Sequence, residues 1–215
     1  MSRTLSEADS KAMLAAAGVQ FAPERLVQDP ESAARAATEV GFPVAVKLCG
    51  DHIAHKTERG LVRLALADES SVAAAAEELL AAARPEDEAT GVLVAPMLSG
   101  SRELIAGIAS DEQFGPTVLV GVGGVLAEAV ADVAVRLVPI TRTDAEEMLE
   151  QLSSQALLGE FRGEPAVDRS AVVDLLMSLS DLAAGHDALC SVDLNPVIIT
   201  EGRPVPVDAL VELAR

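Results

Sequence analysis

Lysine and histidine, two residue types that commonly bind anions, are scarce in this sequence and unevenly placed. The 215 residues include three histidines, and lysine occurs only at positions 11, 47 and 56. Four of these six residues fall between positions 47 and 56, namely Lys47, His52, His55 and Lys56. In a chain with 34 acidic residues against 16 lysines and arginines, such a cluster predicts an anion site. The alternative is that rare residues lie near one loop by chance.

A polyphosphate is one anion that this cluster suits. Lys47 lies within the hydrophobic run of residues 43–49, and the segment His-Lys-Thr-Glu-Arg-Gly at residues 55–60 follows this run. A lysine on a strand neutralises phosphate charge, while a glycine-bearing loop supplies backbone donors. The Walker pattern and the dinucleotide-binding glycine pattern are both absent. A phosphate site would therefore need a different scaffold.

A second group of polar residues lies near the C-terminus. Asp193 and Asn195 are two residues apart, so they share one face of a strand. Asp208 follows the turn at Glu201-Gly202 and could face Asn195 across a hairpin. Oxygen ligands with no histidine or cysteine nearby suit Mg²⁺, which keeps its other positions for water and nucleotide phosphates. The alternative is that these polar residues only flank a surface hairpin.

Helix and strand signals along the chain show which predicted elements carry the lysine and histidine cluster and the C-terminal polar residues. Ser6 with Asp9 predicts a helix start and Gly18 its end, and Asp29-Pro30 and Gly41 bound a second helix. Further helices are predicted over 68–83, 143–152 and 168–184, and strands over 43–49, 60–67, 91–98, 102–109, 116–121, 133–139, 189–194, 197–200 and 205–208. The mixture predicts an α+β fold in two lobes, residues 1–98 and 99–215.

Composition and charge exclude several classes of protein. Half of the residues are hydrophobic, so the chain should fold. A formal charge of −18 disfavours nucleic acid as the main partner. The longest uncharged stretch, residues 113–127, is too short for a membrane helix. Because the N-terminus has no apolar leader and the chain has only two cysteines, we expect a reduced, cytoplasmic protein without a membrane or nucleic-acid partner.

Seven short motifs in a fixed order resemble one known family. They are Pro43–Lys47, His55–Glu58, Glu103–Gly107, Gln113–Pro116, Gly121–Gly124, Arg162–Pro165 and Asp193–Pro196. Together they resemble the ATP-grasp domain of nucleoside-diphosphate-forming acyl-CoA synthetases. The similarity is greatest to the β subunit of ADP-forming acetate–CoA ligase and more distant to succinyl-CoA synthetase β, and it spans essentially the whole chain.

The resemblance implies an ATP-grasp fold in which ATP lies between the two lobes. Lys47 would contact the nucleotide phosphates, and the loop from His55 to Gly60, with Lys56, would close over them. The strand containing Val94 and Met97 would present backbone groups to adenine.

The same resemblance assigns the reacting end of the nucleotide. Glu103 would lie near the ribose or the metal, Asn195 and Asp208 match Mg²⁺ ligands, and Asp193 would lie beside the transferring phosphate. His55 matches a histidine that some relatives phosphorylate transiently. A histidine that only hydrogen-bonds ATP or its neighbours is an equal alternative.

The family reaction needs parts that this sequence does not carry. A CoA-binding domain and a ligase domain with the phosphorylated histidine are implied to lie on an α subunit, in a hetero-oligomer that takes CoA and a small carboxylic acid. We expect the partner surface around Gly121–Glu128 and Phe161–Gly163. Two other classes remain open, a stand-alone ATP-grasp carboxylate ligase and a non-catalytic nucleotide sensor.

Three positions depart from the family pattern. Arg59 precedes Gly60 where paired glycines are usual, Arg102 replaces a small residue, and Ser191 replaces an acidic one. These departures bear on rate and acyl substrate more than on ATP binding.

Overall fold

The computed structural model describes residues 2–53, 56, 59–111, 113–124 and 131–214. Two compact units divide the chain. The smaller comprises Thr4–Asp9 and Ala22–Met97, and the larger comprises Met1–Arg3, Ser10–Phe21 and Leu98–Arg215. The mixed α+β class predicted from the sequence is confirmed. The predicted lobes, residues 1–98 and 99–215, differ from these units in that residues 1–3, residues 10–21 and Leu98 group with the C-terminal part.

An antiparallel four-stranded sheet organises the smaller unit. Its strand order is β2-β5-β3-β4, with β2 at Arg25–Val27, β3 at Val44–Gly50, β4 at Val62–Leu66 and β5 at Ala89–Pro96. Helices α2 (Pro30–Val40) and α3 (Glu69–Ala81) pack on each other and on strands β3 and β5. A single 3₁₀ turn at Pro85–Asp87 precedes β5.

Local signals determine where these two helices begin. The Asp29 side chain accepts a hydrogen bond from the backbone N–H of Ser32, and Asp68 does the same for Ser71. Each aspartate satisfies a donor that a helix start leaves unpaired. The helices then bury their alanine and leucine faces over β3, in which all seven residues are buried. Lys47 lies in the middle of that strand.

A larger sheet organises the second unit. Its order is β1-β11-β9-β6-β7-β8, and β10 pairs with β9. The strands are β1 (Ser2–Thr4), β6 (Glu103–Asp111), β7 (Gly115–Val122), β8 (Val133–Leu137), β9 (Leu189–Thr200), β10 (Arg203–Pro206) and β11 (Leu210–Ala214). Helix α4 (Arg142–Gln151) packs on β8, and α6 (Arg169–Gly185) packs on β6 and β7. A short helix α5 spans Gln155–Leu158.

The first helix, α1, spans Glu7–Ala16. The Ser6 hydroxyl accepts a hydrogen bond from the Asp9 N–H at 3.1 Å, as the predicted capping pair requires. The first residues of α1 belong to the smaller unit and those from Ser10 onward to the larger.

Two predicted elements of the C-terminal hairpin need correction. The segments predicted as separate strands around Asn195-Pro196 form one continuous strand, β9. Strand β10 ends at Pro206, so Asp208 lies in the connection to β11 and not on the return strand. The short strands β1, β2 and β11 and helix α5 were not predicted.

Candidate nucleotide-binding site

Lys47 is held within a buried strand. It pairs with Leu93 on one side and with Val62 on the other, so neighbouring strands fix its backbone. The residue is 8% exposed. Lysine is seldom buried to this extent unless it has an acidic partner. That partner is Glu7, whose Oε1 lies 2.8 Å from the Lys47 Nζ.

Lys56 reaches the same carboxylate. Its Nζ donates a hydrogen bond to Oε2 of Glu7, and Lys56 is also 8% exposed. The Glu7 side chain is 1% exposed. Two ammonium groups and one carboxylate thus lie together below the surface. We call Glu7, Lys47 and Lys56 the lysine-glutamate cluster.

The loop that contains Lys56 is attached to Asp87 at both ends. The His52 N–H donates to the Asp87 backbone carbonyl at 3.4 Å. Arg59 donates from its two terminal nitrogens to the two carboxylate oxygens of Asp87, at 2.8 and 2.9 Å. The hydrogen bond from Arg59, then that from the Arg84 backbone, hold the pKa of the buried Asp87 carboxyl below its ordinary value. Arg59, which departs from the family pattern, therefore anchors this loop.

Gly60 ends the loop in a conformation that favours glycine. Its φ is +67°, and a Cβ there would have no atom within 4 Å, so backbone conformation and not crowding restricts this position. The next residue, Leu61, donates from its N–H to the Lys56 carbonyl at 2.8 Å and closes the turn. His55, the predicted phosphate-relay residue, lies outside the described residues.

The two residues predicted to lie near adenine differ in their surroundings. Val94 is fully buried in the core of the smaller unit and pairs with both β2 and β3. Its side chain has no access to a ligand. Met97 follows the end of β5, is partly exposed, and donates from its N–H to the Pro43 carbonyl at 3.0 Å. Of these two residues, Met97 has the more accessible position for a contact with adenine.

In the larger unit, two of the predicted residues lie in the middle of β9 and the third lies in the connection before β11. Asp193 and Asn195 are both exposed on the same strand face. Val207 donates from its N–H to the Pro196 carbonyl at 3.1 Å, and Leu210 pairs with Asp193. Asp208 lies between these two contacts, so it passes close to both Asn195 and Asp193.

The charge of Asp208 affects Asp193. Although Asp193 is exposed as a whole, the surrounding protein partly shields its carboxyl from water, which raises its pKa, and the negative charge of Asp208 raises it further. Two carboxylates that repel each other in this way favour a bound cation. Among the described residues no three His, Cys, Asp or Glu side chains form a metal-binding group. Two carboxylates and an amide would suit Mg²⁺ completed by phosphate oxygens and water.

Lys11 supports the segment that carries Asp208. Its Nζ lies 3.2 Å from the Val207 carbonyl oxygen and 5.8 Å from the centre of the Phe21 ring. The Asp208 carboxylate itself accepts a hydrogen bond from the Ala209 N–H at 3.0 Å. The third lysine of the chain, 5% exposed, thus belongs to the structure around the predicted metal ligands.

Glycines allow close packing around Glu103 and Asp193. The Gly123 N–H donates to the Glu103 carbonyl at 2.8 Å, and a Cβ on Gly124 would lie 3.7 Å from the Glu103 carboxylate. Gly107 pairs with Asp193, and a Cβ on Gly107 would lie 2.3 Å from the Val192 carbonyl oxygen. Strands β6 and β9 can therefore approach at Asp193 only because residue 107 lacks a side chain.

One of the two expected partner surfaces is described in part and the other fully. Residues 125–128 of the first lie outside the described residues. In the second, Phe161 and Glu164 form a backbone bridge, and the two residues between them, Arg162 and Gly163, both have positive φ and are exposed. This two-residue turn projects Arg162 toward solvent.

Comparison with known proteins identifies the family. Residues 1–213 match the family described as the ATP-grasp domain. The chain belongs to this family. The match extends over both units, so the fold of this ATP-grasp domain is the one that the sequence motifs predicted.

Relatives of this ATP-grasp domain share a common description. It is 36% identical over 197 residues to the β subunit of ADP-forming acetate–CoA ligase II of Pyrococcus furiosus, with 90% of this chain and 84% of the relative covered. It is 38% identical over 205 residues to ADP-forming acetate–CoA ligase II of Archaeoglobus fulgidus, covering 95% of this chain but only 30% of that enzyme. The same domain thus occurs as a separate subunit and as part of a longer chain.

Solved structures of a third relative superpose on this domain. A complex of acetyl-coenzyme A synthetase 1 from Ca. Korarchaeum cryptofilum with coenzyme A and Ca-AMPCP has a TM-score of 0.91 and 33% identity, covering 99% of this chain and 94% of that one. A second complex, with Mg-AMPPCP and a phosphohistidine segment that points towards the nucleotide-binding site, has a TM-score of 0.82 and 33% identity, covering 97% and 92%.

Two acidic residues of this site were not identified from the sequence, Glu7 of the lysine-glutamate cluster and Asp87, which holds the loop that contains Lys56. Glu7 lies 40 residues before Lys47 and 49 before Lys56, and Asp87 lies 28 residues after Arg59. Glu7 resembles any acidic residue in the first turn of a helix. The available signal was the position of Lys47 within a hydrophobic strand, because a lysine buried there requires an acidic partner.

Proposed function

We propose that this chain is the ATP-binding β subunit of an ADP-forming acyl-CoA synthetase of the acetate–CoA ligase type. The lysine-glutamate cluster is the observation that carries the proposal. In a chain of charge −18, two of the three lysines converge below the surface. Two ammonium groups held together suit a polyphosphate.

In the smaller unit, Lys47 and Lys56 would contact the nucleotide phosphates. The loop between His52 and Gly60 would lie over them, fastened at its base by Asp87. Met97 would contact adenine by its backbone. Val94 would act only through the core that supports β5.

In the larger unit, Asn195 and Asp208 would hold Mg²⁺, and Glu103 would lie near the ribose or the metal. The closely placed Asp193 and Asp208 support this assignment, because an acidic pair is stabilised by a divalent cation. The bound Mg²⁺ would neutralise phosphate charge. Asp193 would orient the phosphate that is transferred.

The overall reaction would convert acyl-CoA, ADP and phosphate into carboxylate, CoA and ATP, or the reverse. Phosphate would pass through a histidine of an α subunit that binds CoA. The naming of the P. furiosus relative as a β subunit and the phosphohistidine segment in the Ca. K. cryptofilum complex support a partner of this kind. A role for His55 in the phosphate relay stays a prediction.

We propose the cytoplasm as the location, since ATP and CoA are available there. In the described part of the chain, no helix combines the length and the apolar character that crossing a bilayer requires.

Calorimetric titration with Mg·ATP tests the nucleotide assignment. Lys47→Ala and Asp208→Ala should each lower the affinity at least tenfold, while Arg203→Ala, which removes an exposed cation of β10, should leave it within twofold. Unchanged affinity in both site variants would refute the site.

Reconstitution tests the synthetase assignment. Mixed with a cognate CoA-binding subunit, the chain should form ATP from ADP, phosphate and an acyl-CoA. His55→Ala should depress this activity more than it weakens ATP binding. If ATP binds and no acyl-CoA of small, branched or aromatic type supports turnover, a nucleotide sensor replaces the synthetase.

A further inference from the structure

The carboxylate of Glu7 has an unusual environment for the first turn of a helix. Both of its oxygens accept hydrogen bonds from lysines, and its side chain is 1% exposed. An acidic residue that only complements the helix dipole is normally open to water. Asp9, two residues later, has that ordinary position, because it is exposed and hydrogen-bonded to the Ser6 hydroxyl at 2.8 Å.

Glu7 determines where the two ammonium groups can lie. Two buried like charges repel each other, and burial of an uncompensated charge costs far more than burial of a paired one. Lysine side chains are also long and flexible, so a shared carboxylate orders two of them at once. Without Glu7, the two hydrogen bonds that hold the ammonium groups to one carboxylate would be lost.

We propose that Glu7 is a positioning residue of the polyphosphate site. It holds Lys47 and Lys56 side by side, so that the two ammonium groups can bind the nucleotide phosphates together. Glu7 acts through the lysines and does not touch the nucleotide. The inference rests on the proposed function, because it assumes that these lysines bind phosphate.

The test compares Glu7→Gln, which keeps the shape and removes the charge, with Asp9→Asn as a matched control in the same helical turn. Mg·ATP affinity is measured by calorimetry and adenosine binding by ligand-observed NMR. Glu7→Gln should weaken Mg·ATP at least tenfold and leave adenosine within twofold, and Asp9→Asn should leave both within twofold. A merely structural role would weaken both ligands alike.

A double-mutant cycle provides the second measurement and covers the case in which Glu7→Gln folds poorly. The variant Glu7→Gln/Lys56→Met removes one charge of each sign, so it should fold. Its Mg·ATP affinity should stay within about threefold of Lys56→Met alone, because Glu7 has less to position once Lys56 is gone.

Three results would overturn the inference. The first is an equal loss of Mg·ATP and adenosine binding in Glu7→Gln. The second is tighter Mg·ATP binding in that variant, which would mean that Glu7 competes with phosphate. The third is strictly additive losses of affinity in the double-mutant cycle. Lys47→Ala separates the two proposals. If Lys47→Ala abolishes Mg·ATP binding and Glu7→Gln does not weaken that binding, only the proposed role of Glu7 is wrong. Unchanged Mg·ATP binding in Lys47→Ala would refute the phosphate site itself.

Discussion

Arg102 and Glu164 form an ion pair in which the arginine side chain is almost completely buried, with its Nε 3.3 Å from Oε2 of the glutamate. The same guanidinium donates to three backbone carbonyls, those of Leu157, Gly159 and Pro165. One side chain thus attaches the segment 157–165, including the exposed Arg162-Gly163 turn, to the residue that precedes Glu103. This gives a structural role to an arginine at a position where the family resemblance led us to expect a small residue.

Arg102→Ala should destabilise the protein by about 2–4 kcal/mol, because it removes a buried side chain and leaves three carbonyl oxygens without their donor. Urea unfolding measures the change. Arg203→Ala, at an exposed position of β10, should change stability by no more than about 0.5 kcal/mol. A loss below about 1 kcal/mol for Arg102→Ala would mean that water replaces the guanidinium easily.

Arg59→Ala should loosen the loop that carries Lys56, since it removes both hydrogen bonds to the Asp87 carboxylate. Amide hydrogen exchange at His52 and Leu61 should accelerate at least tenfold, because their N–H groups are bonded at the two ends of this loop. Mg·ATP affinity should fall severalfold.

Arg35→Ala serves as the control for Arg59→Ala. It removes an exposed arginine whose ion pair with Glu31 lies on the surface of α2, so exchange at His52 and Leu61 should not change. If exchange at these two amides is the same in Arg59→Ala and in the unaltered protein, the attachment at Asp87 does not restrain the loop.

Gly107→Ala should destabilise the larger unit by about 1–3 kcal/mol, because the new methyl group would be forced against the Val192 carbonyl. The strain lies beside Asp193, so Mg·ATP binding should weaken as well. Gly185→Ala adds the same methyl group where no atom lies within 4 Å and should be tolerated. Equal stability of the two variants in denaturant titrations would contradict the close approach of β6 and β9.

Asp193→Asn should stabilise the nucleotide-free protein at pH 7, by no more than about 0.5 kcal/mol because the carboxylate is exposed to solvent. The raised pKa of Asp193 means that the folded protein binds this proton more tightly than the unfolded chain does. Stability contributed by the protonated form is therefore lost as pH rises through the folded pKa. The same variant should weaken Mg·ATP binding.

Thermal unfolding between pH 4 and 8 measures this effect. The stability difference between Asp193→Asn and the unaltered protein should shrink as the pH falls toward the ordinary aspartate value. Asp187→Asn, at an exposed position before β9, serves as the control for the loss of a surface carboxylate. A lower stability of Asp193→Asn at pH 7 would show that the ionised carboxylate makes favourable contacts.

Features with local signals were predictable from the sequence, and α2 illustrates this. Asp29, Pro30 and Gly41 act within a few residues of the helix ends that they define, and the observed helix begins and ends between them. Motif order predicted the family for a similar reason, since each motif is short and continuous.

Features that depend on distant pairing were not predictable. Pro196 lacks an N–H and suggested a break between two strands, but its carbonyl still accepts the Val207 hydrogen bond and β9 continues through it. Strands β1 and β2 have three residues each, too few for a periodic pattern to be recognised. The pairing of Glu7 with two lysines depends on the folded arrangement of α1, β3 and the following loop, for which no single segment carries a signal.

The division of α1 between the two units has a consequence for dissecting the protein. A fragment that ends at Met97 would contain residues 10–21 but none of the later residues with which they group. Leu14 and Val19, both buried in the whole chain, would become exposed, and Ser10 would lose the Val211 N–H that donates to its hydroxyl at 3.1 Å. The complementary fragment would lack the first helix altogether. A gene split at this boundary would therefore yield two incomplete folding units, and joining this domain to others intact requires that residues 1–21 remain with the rest.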